Sequence, residues 1–356
     1  MGELHGWEAQ APGYPEMRPF GSWETPGFPV YKRLEERLRF TESHPDPVVA
    51  HVMAVCSAYA YAGPDTVSMI MARLGLRDNK CRMVAMSVDA MFLRSTAFIV
   101  QSHSGRVAIL CYRGTEPANL INWMVNLDFE PERTSYQFGD PCNTVHGGFY
   151  RNTRATRYEV MNTLKNMQHL EALYITGHSL GGAMAGLMGV MIRHEENYRT
   201  ALFKRLKAVY TFGQPMIGDP GFAGKCQQND FLRKRVIRYI HDRDIVPRLP
   251  PSASGDYRHF GREYEYRIPR LRHLLPGPTA PVGGECGPPP GAWRENTVPT
   301  GQAWGLPAIA LAGVAFVAGK FRWTRALPAV YSIDDHFPRH YVTALTPEGV
   351  QNEYGD

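Results

Sequence analysis

The sequence predicts an α/β fold: a mostly parallel central sheet with helices on both faces. Three observations carry this expectation. Apolar runs of strand length at 172–175, 206–212 and 236–240 alternate with stretches of helical spacing. Each run feeds a turn rich in glycine or in residues able to do chemistry: Gly177-His178-Ser179-Leu180-Gly181-Gly182, then Gly213-Gln214-Pro215, then His241-Asp242-Arg243-Asp244. With 356 residues, 44% hydrophobic and 21% charged, the chain is long enough and apolar enough for one large domain.

Taken in order, residues 1–46 are rich in proline, glycine and aromatics, with a short charged helical patch at 32–39, and read as an arm laid over the domain. The domain proper is assigned to 47–356. Residues 47–62 carry Val48, Val52, Val55, Ala58 and Tyr59 at helical spacing, opened by Asp46 as cap and Pro47 as first turn. A second helix covers 65–74 and stops at Gly75. Strands at 96–101 and 106–112 make a hairpin around Ser102-His103-Ser104-Gly105. A short amphipathic helix at 119–127 fits either a core element or a lid with an apolar underside. A polar helix follows at 151–167. Downstream, 257–260 and 263–266 read as a small hairpin about Gly261.

An insertion at about 267–330 changes character. Residues 267–303, with prolines and glycines crowded at 275–291, read as an irregular surface insertion. The apolar run 306–317 begins near Pro307; a helix from there to Gly319 would be roughly 20 Å long, against roughly 30 Å of membrane hydrocarbon. It should therefore not span a bilayer. Lys320-Phe321-Arg322-Trp323-Thr324-Arg325 interleaves cations with aromatics, which suits a membrane interface or the rim of an apolar groove. A packed core helix and a lipid-facing helix fit 306–317 equally well.

The net charge of +5 reads as a solvated surface with weak attraction to anionic membranes. No basic block suggests nucleic acid. Arg233-Lys234-Arg235 with Arg238 is the densest basic cluster and reads as a surface turn. The six cysteines lack C-x-x-C spacing, which leaves buried or free thiols and supports no metal. The first 29 residues lack a basic start and an apolar run, so the expectation is a cytoplasmic protein, peripherally membrane-associated at most.

The chemistry centres on Ser179. Gly-x-Ser-x-Gly alone is weak, since this composition would produce it by chance in roughly one chain in ten. Flanked by a strand and a helix, however, it reads as an elbow that exposes the serine hydroxyl at a helix N-terminus. Serine needs a base, and the base needs a carboxylate to fix its tautomer. Asp244, followed by apolar Ile245-Val246-Pro247, is preferred to Asp242 and Asp219, which read as surface turn residues. His336, on a turn before the final helix, is preferred to His340; His194, His241, His259 and His273 have bland readings. The oxyanion needs two N–H donors, assigned to Leu180 and Thr115.

Six blocks in this order resemble the class 3 lipase family, the fungal-type triacylglycerol lipases: Tyr112-Arg113-Gly114-Thr115, Val145-His146-x-Gly148-Phe149, Gly177 to Gly182, Thr211-Phe212-Gly213-x-Pro215, Arg243-Asp244-Ile245-Val246-Pro247 and Asp335-His336. The resemblance covers roughly 47–345. It implies an α/β-hydrolase fold with Ser179 as nucleophile, Asp244 as acid, His336 as base, and Thr115 and Leu180 as the oxyanion hole. It also implies that 119–127 lies where the family's lid lies. The implied activity is hydrolysis of lipid carboxylic esters through an acyl-enzyme, without cofactor or metal. Phospholipase A1, acyltransferase and non-catalytic lipase-fold binding protein are the alternatives. The implied partner is a lipid ester substrate. The apolar run and the aromatic-basic segment after it add, separately from the resemblance, an expected contact with a membrane or lipid-droplet surface through 303–325. No nucleic acid is expected, and oligomeric state is left open.

Overall fold

The computed structural model describes residues 30–88, 93–115, 131–133, 142–268, 291–303, 331–348 and 350. The candidate lid at 119–127, most of the insertion and residues 1–29 lie outside the described residues, as do 304–325 of the segment expected to meet lipid.

An eight-stranded sheet organises the chain, in the order β1 (Lys80–Val88), β2 (Leu93–Gln101), β3 (Val107–Tyr112), β6 (Ala172–His178), β7 (Leu206–Phe212), β8 (Val236–His241), β9 (Arg262–Arg267), β10 (Ala292–Asn296). Strands β3 to β9 of that order run parallel, while β1–β2–β3 and β9–β10 are antiparallel. The two short strands β4 (Pro131–Arg133) and β5 (Thr144–His146) form a separate ribbon.

Period-two alternation puts successive side chains on opposite faces, and a sheet covered on both faces buries them all. Every residue of β3 is buried. Val107, Ile109 and Cys111 pack with α2 (Pro47–Tyr59) and α3 (Pro64–Leu74). Ala108, Leu110 and Tyr112 pack on the other face with α4 (Gly147–Lys165) and α5 (Leu180–His194). The expected three-layer α/β arrangement is thus present. Helix α1 (Leu34–Phe40) buries Leu34 and Leu38. Helix α2 opens as expected, with the Asp46 carboxylate accepting from Val49 N–H and Pro47 in the first turn.

Three expectations need correction. Residues 257–260 and 263–266 do not pair as a hairpin: the latter fall within β9, which pairs with β8 on one side and β10 on the other. The described part of the insertion is accordingly not all irregular, because 292–296 extend the sheet. Arg238 is not on a surface turn. Its side chain is 1% exposed and lies 2.8 Å from Glu263, its neighbour in register on β9. Glu263 also accepts from Thr300 Oγ1 at 2.7 Å and Asn296 Nδ2 at 2.8 Å, fastening the chain beyond β10. The basic neighbours 233–235 close a short helix, α6 being Pro220–Gln228 and α7 Asp230–Arg235. The chain ends on α8 (Pro338–Leu345).

Candidate active site

The predicted residues meet beyond the carboxyl ends of β3, β6, β7 and β8. Strand β6 delivers Ser179 on a left-handed residue, φ 59°, immediately before α5. Such a conformation is costly for a residue with a side chain and persists where the surroundings enforce it. They do so here through close approach: a Cβ on Gly177 would lie 2.2 Å from the Gly181 carbonyl oxygen, and one on Gly181 would lie 2.2 Å from that of Tyr112. Glycine at both positions lets strand, helix and β3 converge. Ser179 N–H donates to Phe212 O at 2.9 Å, which locks the elbow to β7.

The turn after β8 supplies Asp244, the candidate acid. Asp244 is 1% exposed among buried Ile245 and Val246, as its apolar sequence context predicts. Its Oδ1 accepts from Val246 N–H at 2.8 Å, while Oδ2 accepts from His336 Nδ1–H at 2.7 Å and from the Tyr341 hydroxyl. The two turns are laced together by main-chain bonds, Ser332 N–H to Arg243 O at 2.8 Å and Ile245 N–H to Ser332 O at 3.3 Å. These bonds carry His336 to the acid across a wide separation in sequence.

Because a carboxylate only accepts, it holds the proton of His336 on Nδ1 and leaves Nε2 as the acceptor. That Nε2 and the Ser179 hydroxyl are both buried, and among the described residues neither has a hydrogen-bond partner. Gly213 explains how the imidazole comes so close. Its φ is +58°, and a Cβ there would lie 2.7 Å from His336 Cε1 and 2.9 Å from Asp244 Oδ2. The glycine of the Thr211-Phe212-Gly213 block therefore gives the ring its seat.

Leu180, the first residue of α5, is 8% exposed. The first N–H groups of a helix have no partner within it, which suits them to a developing oxyanion. Thr115 is half-buried, three residues past β3. Its neighbour Gly114 backs onto the elbow, since a Cβ there would lie 3.2 Å from Ser179 Cβ and 2.5 Å from His178 O. The turn that carries Thr115 is thus brought to Ser179.

The rejected candidates sit elsewhere. Asp219 caps α6 and binds Thr144. Asp242, with φ 36°, lies 3.5 Å from Arg243. His340 faces Asp334 at 3.4 Å instead of Asp244. His241 is buried against the Tyr266 ring, and burial takes its pKa down to about 4. His259 meets Pro247 O at 2.7 Å, with burial lowering it to about 3. His194 closes α5, and burial lowers its pKa as well. His273 lies outside the described residues.

Sequence reasoning missed Tyr341. Its hydroxyl accepts from His241 N–H at 3.1 Å while donating to Asp244, so it ties β8 to the acid. Burial, reinforced by Asp244, raises its pKa well above the usual tyrosine value and keeps the donor protonated. An aromatic five residues after His336 was the only available signal, and it also fits an ordinary core position. Among the described residues no cluster of three or more His, Cys, Asp and Glu could hold a metal, and no helix is long and apolar enough to cross a membrane.

Residues 109–254 match the family described as Lipase (class 3). The chain is 32% identical over 175 residues to a lipase of Rhizomucor miehei, covering 48% of this chain and 44% of that one. It is 31% identical over 200 residues to triacylglycerol lipase OBL1 of Arabidopsis thaliana, covering 46% and 38%. It is also 28% identical over 172 residues to phospholipase A1-II 1 of Oryza sativa subsp. indica, covering 42% and 41%. The chain thus spans less than half the length of these curated relatives. A solved Rhizomucor miehei lipase propeptide complex, in a deletion-mutant form, superposes with a TM-score of 0.55 at 20% identity, over 87% of this chain and 81% of that one. That likeness shows the shared fold. Residues 109–254, which hold Ser179 and Asp244, are thus similar to the class 3 lipase family.

Proposed function

We propose that this protein is a serine hydrolase that cleaves carboxylic esters of lipids, acylglycerols foremost, through an acyl-enzyme. Ser179 Oγ attacks the ester carbonyl while His336 Nε2 takes its proton. Asp244 holds the opposite side of the ring and stabilises the imidazolium that forms. N–H groups of Leu180 and Thr115 receive the oxyanion. Collapse expels the alcohol with the proton from His336; water activated by the same nitrogen then releases the acid and restores Ser179.

One observation carries the reading. His336 is fixed on Asp244, yet its outward nitrogen and the Ser179 hydroxyl are buried and, among the described residues, without a hydrogen-bond partner. Leaving a buried polar atom unsatisfied costs on the order of 1–3 kcal/mol, so a pair left so beside a strained elbow is more readily explained by reaction than by stability. The test is labelling with a fluorophosphonate probe followed by peptide mass spectrometry. The reading expects one adduct on Ser179, absent from Ser179→Ala. An unlabelled wild type would favour a lipase-fold protein that binds lipid without hydrolysing it.

The similarity to a phospholipase A1 supports a second reading, in which a membrane phospholipid is the ester donor and water or another alcohol the acceptor. Product analysis on mixed vesicles separates these: free fatty acid, lysophospholipid, or a transferred acyl chain. Contact with a lipid surface through 303–325 belongs to the proposal too. Its support is the apolar run at 306–317 and the attachment of its flanks near the acid turn: Ala303 N–H donates to Arg248 O at 2.9 Å, and Arg248 lies over the Tyr331 ring. If deleting 304–325 leaves vesicle co-sedimentation unchanged, that segment is not the anchor.

A further inference from the structure

Beside His336 lies a second buried imidazole that the reaction does not use. His178, the last residue of β6, has its ring centroid 4.4 Å from that of His336. Its Nε2 is 2.6 Å from the main-chain carbonyl oxygen of His336, and its Nδ1 is 3.0 Å from the Tyr61 hydroxyl. A carbonyl oxygen only accepts, so Nε2 carries the proton. Burial, with His336 adding to it, holds the His178 pKa well below 6.5, so the ring is neutral and Nδ1 accepts from Tyr61. Both nitrogens are occupied, which excludes His178 as an alternative base.

What the ring touches suggests its purpose. His336 sits on a single turn, 334–336, reached through residues 331–333. Its carbonyl is held by the residue directly before the nucleophile. Tyr61 extends the chain of contacts to the oxyanion side, because a Cβ on Gly114 would fall 2.4 Å from its hydroxyl oxygen. One row of groups, Tyr61 to His178 to the His336 carbonyl, therefore spans the oxyanion turn, the elbow and the base.

We propose that Tyr61 and His178 are positioning residues: their hydrogen bonds fix the main chain of His336 relative to Ser179, and so set the approach of the base to the nucleophile. The proposal rests on the serine hydrolase reading above. Displacing a reacting group by about 1 Å can cost on the order of a hundredfold in rate. A strut that acts only on this alignment should appear in kcat, with KM unchanged. Simple structural cement would instead lower the melting temperature and leave kcat alone.

The experiment measures kcat and KM on a soluble short-chain ester for wild type, His178→Phe, His178→Gln and Tyr61→Phe, with thermal melting and fluorophosphonate labelling of each. Phe keeps a ring without the donor; Gln restores an N–H near the position of Nε2. The expected result is a kcat lower by roughly ten- to a hundredfold in His178→Phe with KM within about twofold, and recovery to within about fivefold of wild type in His178→Gln. Tyr61→Phe should lose about three- to tenfold in kcat. The proposal is overturned if folded His178→Phe keeps kcat within about twofold of wild type, or if His178→Gln is no better than His178→Phe. Should His178→Phe fail to fold, Tyr61→Phe decides, and a kcat within about twofold of wild type overturns it. A wild type that neither labels at Ser179 nor hydrolyses esters would remove the underlying reading instead, so the two failures are distinguishable.

Discussion

Asp244 and His336, 92 residues apart in the chain, share a hydrogen bond of 2.7 Å in which the buried carboxylate fixes the imidazole proton on Nδ1. The catalytic proposal depends on this bond, because it makes the outward nitrogen the acceptor. Asp244→Asn replaces the accepting oxygen with a group that can donate, favouring the wrong tautomer. With the fold retained, kcat on a lipid ester should fall by on the order of 10⁴ with little change in KM. Stopped-time hydrolysis assays on the folded variant check this.

Gly213 gives a prediction that couples stability to activity. At φ +58°, any side chain is strained, and a Cβ would press on the His336 ring 2.7 Å away. Gly213→Ala should cost about 1–3 kcal/mol by overpacking, with strain added, and should displace the imidazole from its seat. Both the denaturation midpoint and kcat should fall. Loss of either one alone would separate the seat from the site.

The buried pair Arg238–Glu263 should be sensitive to removal of one partner. Burial pushes the Glu263 carboxyl up, but Arg238 and the bonds from Asn296 and Thr300 outweigh it and hold the pKa at about 2. Glu263→Ala leaves the Arg238 charge buried alone and should destabilise by about 3–5 kcal/mol in denaturant unfolding. It should also increase hydrogen exchange at 296–300, which Glu263 fastens.

Acid should unfold the protein early. Burial lowers His44, His51 and His241 to about 4 and His259 to about 3, against 6.5 for a free histidine. Between those values the unfolded chain binds protons that the folded chain refuses. Stability is therefore full above pH 6.5 and declines as pH falls towards 4, each group adding up to about 1.4 kcal/mol per pH unit. Glu263 acts later, since its contribution is present above 4.5 and is lost as pH drops towards 2. Melting temperature measured from pH 8 to pH 4 should fall steeply below about pH 6. A flat profile over that range would contradict the burial of these rings.

The elbow was legible because its constraints are local: Gly177, Ser179 and Gly181 must occur together for strand and helix to meet. Asp244 could be chosen because Ile245 and Val246 announce a dry setting, and both are buried. Contacts between distant segments were harder to see. Arg238 looked like the end of a basic surface cluster because its partner, Glu263, lies on another strand. Tyr257 to Phe260 resembled a strand, yet the antiparallel partner of β9 is β10, which lies within the insertion. Strand β1 escaped notice because it is an edge: Val84 is buried, whereas Met83 and Met86 are exposed. Tyr61, His178 and Tyr341 acquire meaning only when three turns converge, a relation that no periodicity encodes.

The most direct test of the central claim is the rate of lipid ester hydrolysis by purified wild type and Ser179→Ala, each shown to be folded by its melting transition. A nucleophilic Ser179 predicts that the variant loses at least about 10³-fold in kcat/KM while its melting temperature stays close to wild type. A folded Ser179→Ala protein that hydrolyses the ester at the wild-type rate would contradict the account.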